Sequence, residues 1–253
     1  MSADQPGATP PPGGADSAGL PWSGRELSGT GFDDDRGEGD PRLLAAVRAP
    51  GREAELVAAV AAARLLVPVV AAPAEVDTSG ALAVEKSTDM AAVTLTSPDG
   101  QRALPVFSSM AALARWDPAA RPVPVTSARA AQAAVSERCE VMLLDLGAEH
   151  AQVLRPSMVW ALAQERSWLP AHEDPFVAQA LTRAVQEEPT VVACTGEAGE
   201  PAGAGVLRVV LTLRAGLAAD EVQALATRIG ERIATDGETR ARIDALAFAI
   251  RQA

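Results

Sequence analysis

The chain has 253 residues, of which 48% are hydrophobic and only 3% aromatic, so one large domain or two small ones could bury a core of valine, leucine and alanine. Its net charge is −11, and its single lysine, Lys86, and its scattered arginines form no basic patch. Because a chain this acidic repels phosphate groups, the composition argues against nucleic acid and anionic membranes as partners.

The first segment, residues 1–40, is rich in proline, glycine, serine and aspartate, and its eight acidic and two basic side chains give it a charge of −6. Such a segment buries too little apolar surface to offset the entropy cost of ordering, so we predict a disordered acidic tail. It lacks the basic and then apolar pattern of a secretory signal peptide, which favours a cytoplasmic protein.

The folded part is predicted to begin near Pro41. Residues 56–74 are apolar apart from Arg64, but they include two prolines, so a helix followed by a buried strand fits them better than a membrane span. Asp99-Gly100 separates two β-rich runs and predicts a hairpin. Helices are predicted near 43–47, 56–63, 109–116, 128–138 and 156–164, strands at 65–71, 90–96, 102–107, 122–125, 141–146 and 152–154, and a loop or short strand at 80–86.

The loop at 167–175 precedes a strong helix start, because Asp174 can cap a helix and Pro175 suits its first position. We therefore predict a domain boundary here, with one domain at 41–170 and a smaller one at 174–253. The mixture of hairpin and β-α-β patterns predicts an α/β (α+β) fold, with a mixed sheet flanked by helices in the first domain. The second domain is predicted to contain strands at 190–194, 206–213 and 246–250 and helices at 176–185, 220–234 and 239–243.

The glycine-rich stretches lack the residues that cofactor-binding loops need. Gly24 and Gly29 have the spacing of a phosphate loop, but Thr30 stands where a phosphate-binding lysine is required. Gly203-Ala204-Gly205 lacks the third glycine of a dinucleotide fingerprint and is interpreted as a hairpin loop.

The remaining polar candidates are few. His150 and His172 are the only histidines, and neither has a second ligand at metal-binding spacing. Asp145 follows an apolar strand; it could line a site or, more commonly, cap the turn that follows, and both interpretations stay open. Cys139 and Cys194 lie in apolar runs and are expected to be buried and reduced. We predict no catalytic, cofactor-binding or metal-binding residue, and no cofactor.

Three stretches of the chain resemble a known family. They are residues 104–109 (LPVFSS) with a helix ending in Arg115-Trp116, residues 123–125 (VPV), 128–132 (ARAAQ) and 141–145 (VMLLD), and residues 159–164 (VWALAQ) with the loop from Trp168 to Pro175. Together they resemble the SseB N-terminal domain of the bacterial "enhanced serine sensitivity" proteins, and residues 176–253 resemble the SseB-type C-terminal domain. The resemblance implies a fold family and no catalytic residue, because these motifs are packing signatures.

Two functions are compatible with this sequence. The first is a non-enzymatic cytoplasmic protein that binds an unknown protein partner, self-associates or regulates metabolism, with a link to serine or other amino acids implied by the resemblance alone. The alternative is an enzyme or small-ligand-binding protein with a site in the groove between the two domains. A deep pocket with converging polar groups would favour the ligand site, and an apolar patch would favour protein binding.

Three of the eight aromatic residues, Trp160, Trp168 and Phe176, lie within 17 positions around the predicted boundary. Aromatic side chains recur at binding hot spots, so these three are a candidate interaction surface. The alternative is that they pack the two domains together. Trp168 distinguishes the two hypotheses because it lies in the loop: an exposed Trp168 would favour a binding surface, and a buried one would favour packing.

Overall fold

Most helices and strands form close to where the sequence predicts them. The predicted strand 90–96 is two short strands, Met90–Ala92 and Leu95–Thr96, and the predicted helix 239–243 lies at Gly237–Arg240. The computed structural model describes residues 31–49, 51–71 and 90–253. Within these residues it has eight helices and three sheets, which confirms the predicted α+β class. The loop predicted at 80–86 and most of the predicted tail lie outside the described residues.

The helices are α1 (Pro41–Ala46), α2 (Glu53–Ala62), α3 (Met110–Trp116), α4 (Ser127–Ser136), α5 (Pro156–Ala163), α6 (Pro175–Val185), α7 (Ala219–Thr235) and α8 (Gly237–Arg240). The strands are β1 (Arg64–Ala71), β2 (Met90–Ala92), β3 (Leu95–Thr96), β4 (Arg102–Val106), β5 (Arg121–Thr126), β6 (Val141–Leu144), β7 (Gln152–Leu154), β8 (Val191–Ala198), β9 (Val206–Leu213) and β10 (Ala245–Gln252). No helix in the described part of the chain is long and apolar enough to cross a membrane.

The folded unit begins at Gly37, a few residues before the predicted start. The Gly37 carbonyl accepts a hydrogen bond from the Met110 amide at 2.8 Å, and the Glu38 carbonyl accepts one from the Arg64 guanidinium at 2.8 Å. Asp40 caps α1 by accepting a hydrogen bond from the Arg42 amide at 2.7 Å. The last four residues of the predicted tail therefore belong to the folded unit.

The mixed sheet predicted for residues 41–170 is divided into two sheets. One has the antiparallel order β2-β1-β5, and the other has the mixed order β3-β4-β6-β7, with β4 parallel to β6. They meet at a single bridge, in which Leu66 and Phe107 exchange hydrogen bonds of 2.8 and 2.9 Å. Prolines limit further pairing because they have no N–H to donate, and they occur in β1, β4 and β5.

The largest apolar core lies between these sheets and the helices α1, α2, α4 and α5. Leu65, Leu104 and Met142 from the strands are fully buried in it. The alanines at 130, 131 and 134 of α4 are also fully buried, and their small side chains allow α4 to lie close to its neighbours. The core thus uses the abundant alanine of this chain as a close-packing residue.

Residues 191–252 form the third sheet, in the order β10-β9-β8. β9 and β10 are parallel, and the long crossover connection that parallel strands need runs through α7 and α8. Alternate residues of β9, such as Leu207 and Val209, face α6 and α7 and pack against Leu225 and Ile229. Phe248 of β10 packs on the same face, as the alternation in the sequence predicts, and Ile250 stays 42% exposed on this edge strand.

Among the described residues, no strand of the first two sheets pairs with a strand of the third sheet. Residues 37–253 nevertheless form one compact unit. The predicted division into domains at 41–170 and 174–253 therefore stays a prediction.

The Asp145 side chain links two strand ends, a role that neither of the two interpretations from the sequence includes. Its side chain is 6% exposed, and its carboxylate accepts hydrogen bonds from the Ser108 amide and the Ser108 hydroxyl, both at 2.7 Å. The backbone of Asp145 has a φ of +54°, a conformation that Asp and Asn tolerate better than most residues. The carboxylate therefore ties the end of β4 to the end of β6.

We predict that Asp145→Ala lowers the free energy of unfolding by about 2–3 kcal/mol, because it leaves two buried donors without an acceptor. Asp145→Asn should lose about 1 kcal/mol, since it keeps one acceptor and tolerates the positive φ. Urea denaturation measures both, with the exposed Glu149→Ala as control. An Asp145→Ala loss no larger than that of the control would contradict this role.

Candidate functional site

Trp168 lies in the interior and not on a surface. Its side chain is 8% exposed, and its indole Nε1 donates a hydrogen bond to the Ser157 hydroxyl at 3.0 Å. The Arg155 guanidinium lies 5.7 Å from the centre of the indole ring. Because it is buried and hydrogen-bonded within the chain, Trp168 is removed from the candidate interaction surface and belongs to the core.

Phe176 is half-buried and serves as a platform for two arginines. The guanidiniums of Arg242 and Arg183 lie 4.6 and 5.7 Å from its ring centre. Arg242 also donates to the Asp174 carboxylate at 2.7 Å and to Glu238 at 2.8 Å. Phe176 therefore contacts side chains of the same chain, as expected if the aromatic residues pack the two predicted domains together.

Trp160 is the one aromatic of the three that is exposed, at 39% of its surface. It borders a groove of about 340 Å³, which we name the Trp160 groove. One side comes from the end of α4, the floor from α5, and the other side from α8 and the residues after it. The lining residues are Val135, Cys139, Glu140, Pro156, Ser157, Val159, Trp160, Gly237, Arg240, Ala241 and Ile243.

The apolar surface extends beyond this groove. Val135 is 38% exposed within it, and Leu169, 40% exposed, borders a narrow cleft on which Trp160 also lies. Trp160 thus lies between two other large apolar side chains that face solvent. Surfaces of this kind are common at protein interfaces.

A buried ionic cluster, which we name the Arg155 junction, lies beside this groove. Arg155 precedes α5, and its guanidinium donates to Asp244 at 2.8 Å, to both carboxylate oxygens of Glu53, and to the Gly203 carbonyl at 2.8 Å. The Asp244 carboxylate also accepts from the amide and the hydroxyl of Ser157, at 2.8 and 2.9 Å. The junction connects α2 and α5 to the third sheet.

The Arg155 junction combines one guanidinium with two carboxylates, those of Glu53 and Asp244. Burial alone would lower the pKa of Arg155, but its hydrogen bonds with Glu53 and Asp244 outweigh burial and raise it. Asp244 lies at the N-terminus of α5, where the helix dipole stabilises the second carboxylate. A Cβ on Gly205 would lie 2.5 Å from Arg155 Nε and from an Asp244 oxygen, so only glycine fits there. The cluster leaves Arg155 little capacity for a ligand.

A second, polar groove of about 900 Å³ contains both histidines, and we name it the histidine groove. His150 and His172 are exposed on its walls, which come from both parts of the chain. Several of its charged residues pair with one another, as Arg155 does with Glu53 and Arg52 with Glu55 at 3.0 Å. Within the described residues, no group of three or more His, Cys, Asp and Glu side chains is placed to hold a metal ion.

Both cysteines are free thiols, Cys139 buried and Cys194 half-buried. Burial raises the pKa of the Cys139 thiol, and it raises the pKa of the Cys194 thiol to about 11. A thiolate is the reactive form of cysteine, so neither environment favours a nucleophile at neutral pH.

Residues 42–161 match the family model described as the SseB protein N-terminal domain. This part of the chain belongs to the SseB family. The SseB domain spans α1 to α5 and both of the first two sheets, and it contains Trp160 near its end. The matched region ends before the loop at 168–175, which the sequence resemblance included. The SseB-type C-terminal domain stays a prediction. No curated protein and no solved structure matches the chain.

No local pattern in the sequence marks the residues of the Arg155 junction or most of those of the Trp160 groove as a site. The pattern Arg155-Pro156-Ser157 indicates a helix start, but nothing local marks Asp244 or Glu53 as its partners. The groove is likewise assembled from three separate helices, so its outline follows from tertiary packing alone.

We predict that Trp168→Ala lowers the free energy of unfolding by about 3–5 kcal/mol, the usual cost of truncating a buried tryptophan. Trp168→Phe should lose about 1–2 kcal/mol because the hydrogen bond to Ser157 is lost and the ring remains. Urea denaturation measures both, and the exposed Trp160→Ala, with an expected loss under about 1 kcal/mol, is the control. Equal losses for Trp168→Ala and Trp160→Ala would contradict the burial of Trp168.

We also predict slow alkylation of Cys194 at pH 8. A thiol with a pKa of about 11 is only about 0.1% ionised at that pH, so its reaction with iodoacetamide should accelerate about tenfold per pH unit up to pH 10. Mass spectrometry on the Cys139→Ser variant isolates Cys194, and the same variant in urea provides the reference rate. A native rate at pH 8 equal to the rate in urea would show an ordinary thiol pKa.

Proposed function

We propose that this chain is a non-enzymatic, protein-binding module with a regulatory role in the cytoplasm, and that the Trp160 groove is its binding surface. The observation that carries this proposal is the exposed Trp160 between Val135 and Leu169, beside an apolar groove. Tryptophan is the residue type most enriched at binding hot spots, and burying its exposed half would supply a large apolar contact.

The distribution of charge supports the same proposal. In the Arg155 junction the carboxylates and the guanidinium bind one another, and Asp145 is committed to Ser108. These carboxylates therefore already have partners within the chain. The apolar groove, by contrast, offers exposed surface without internal partners.

The proposal is tested by capture from lysate of the native organism with the tagged protein, followed by mass spectrometry. Proteins captured by the wild type should be lost with Trp160→Ala and retained with Val192→Ala, which truncates an exposed residue of β8 that does not line the groove. Melting temperatures of both variants should stay close to that of the wild type. Equal capture by the wild type and Trp160→Ala at unchanged stability would contradict a binding role for the groove.

The histidine groove supports a second candidate, the binding of a small polar ligand. The specific observation is that both histidines of the chain lie on one groove with walls from both parts of the chain. This candidate is distinguished from the first by thermal shift: a metabolite that raises the melting temperature of the wild type and of Trp160→Ala, but not of a His150→Ala and His172→Ala double variant, would favour it.

A further inference from the structure

The two ionisable side chains on opposite sides of the Trp160 groove have opposite charge. Glu140 follows α4 on one side, and Arg240 ends α8 on the other. α5 lies between them, because it packs on α4 and its Ser157 is hydrogen-bonded to Asp244 just beyond α8. The groove therefore has an apolar floor with a negative and a positive rim.

Neither of these two charges is neutralised within the described part of the chain. Arg240 is exposed and makes no ion pair there, and Glu140 accepts only a hydrogen bond from the Gln101 side-chain amide at 3.2 Å. Neighbouring charges are different: Glu238 and Arg242 of the same helical segment bind each other at 2.8 Å. The groove thus keeps one cation and one anion available to an occupant.

We propose that the occupant is the same groove of a second copy of this chain, so that the protein forms a weak, two-fold symmetric dimer. This inference rests on the proposed function, since it uses the Trp160 groove as a binding surface. In a two-fold contact each surface patch meets itself in the reverse orientation. The negative rim of each copy then faces the positive rim of the other, which makes two Glu140–Arg240 pairs across the apolar floors.

Self-complementarity is what favours a second copy over an unrelated protein. An unrelated partner would need an anion and a cation at the matching spacing, whereas a second copy carries both by symmetry. A second copy satisfies both with the same two residues and buries both Trp160 side chains together.

The size of the groove and the charge of the chain make this dimer weak. Eleven residues line the groove, fewer than the roughly 20–30 per side of a standard interface, so the contact is at the small end of protein interfaces. The net charge of −11 also opposes association over long distances. At physiological ionic strength this repulsion is screened beyond about 8 Å, so the rim pairs decide the outcome.

The test is sedimentation velocity of the full chain over a series of concentrations at physiological salt. The wild type should show reversible dimerisation. Glu140→Arg and Arg240→Glu should each weaken it by about tenfold, because each creates two like-charge contacts. The double variant Glu140→Arg/Arg240→Glu restores both pairs with reversed sign and should dimerise like the wild type. Arg214→Glu, at an exposed site outside the groove, is the control for charge alone.

Several outcomes would overturn the inference. A wild type that stays monomeric at every concentration excludes the dimer, and failure of the double variant to recover excludes the rim pairs. A monomeric wild type that still captures a partner through Trp160 would leave the proposed function intact and exclude a second copy as the occupant. A dimer unaffected by Trp160→Ala, Glu140→Arg and Arg240→Glu would place the contact elsewhere.

Discussion

The guanidinium of Arg155 holds together three separate parts of this structure. It is largely buried, so its donors must find acceptors inside the protein, and they find them on α2, in the β8–β9 loop and before β10. Its position also determines that of Ser157, which shares Asp244 with it and accepts the Trp168 hydrogen bond. The start of α5, the loop after α5 and the third sheet are therefore fixed by one set of directional bonds.

The Arg155 junction and the Trp160 groove differ in how their charged side chains are placed. Within the junction, opposite charges are close together, shielded from water and mutually satisfied. In the neighbouring Trp160 groove, Glu140 and Arg240 lie on opposite sides of α5, and both side chains are exposed to solvent. The N-terminus of α5 thus lies at the Arg155 junction, and Trp160 near the other end of α5 lies at the open apolar groove.

Much of the secondary structure follows from local sequence, and the site does not. The Asp174-Pro175 pair begins α6 as predicted, and the amphipathic stripe of α7 packs as its spacing indicates, because capping and periodicity act within a few residues. The division of the first sheet was missed, since it depends on which strands pair across long stretches of the chain. The sequence left the burial of Trp168 open, because that burial depends on Ser157 and the core around it. Trp160 is a candidate from the sequence already, whereas Glu140 and Arg240 become candidates only through the positions of α4 and α8 on either side of α5.

The sequence positions of the Arg155 junction also imply an order in which the parts of the chain can fold. Arg155 is separated from Glu53 by 102 positions and from Asp244 by 89, whereas the strands of the first two sheets all lie between residues 64 and 154. During synthesis the SseB domain can therefore collapse while α5 still lacks the carboxylate at its N-terminus. That carboxylate belongs to Asp244, which is synthesised 89 positions after Arg155, so the Arg155 junction can close only after the third sheet has begun to form.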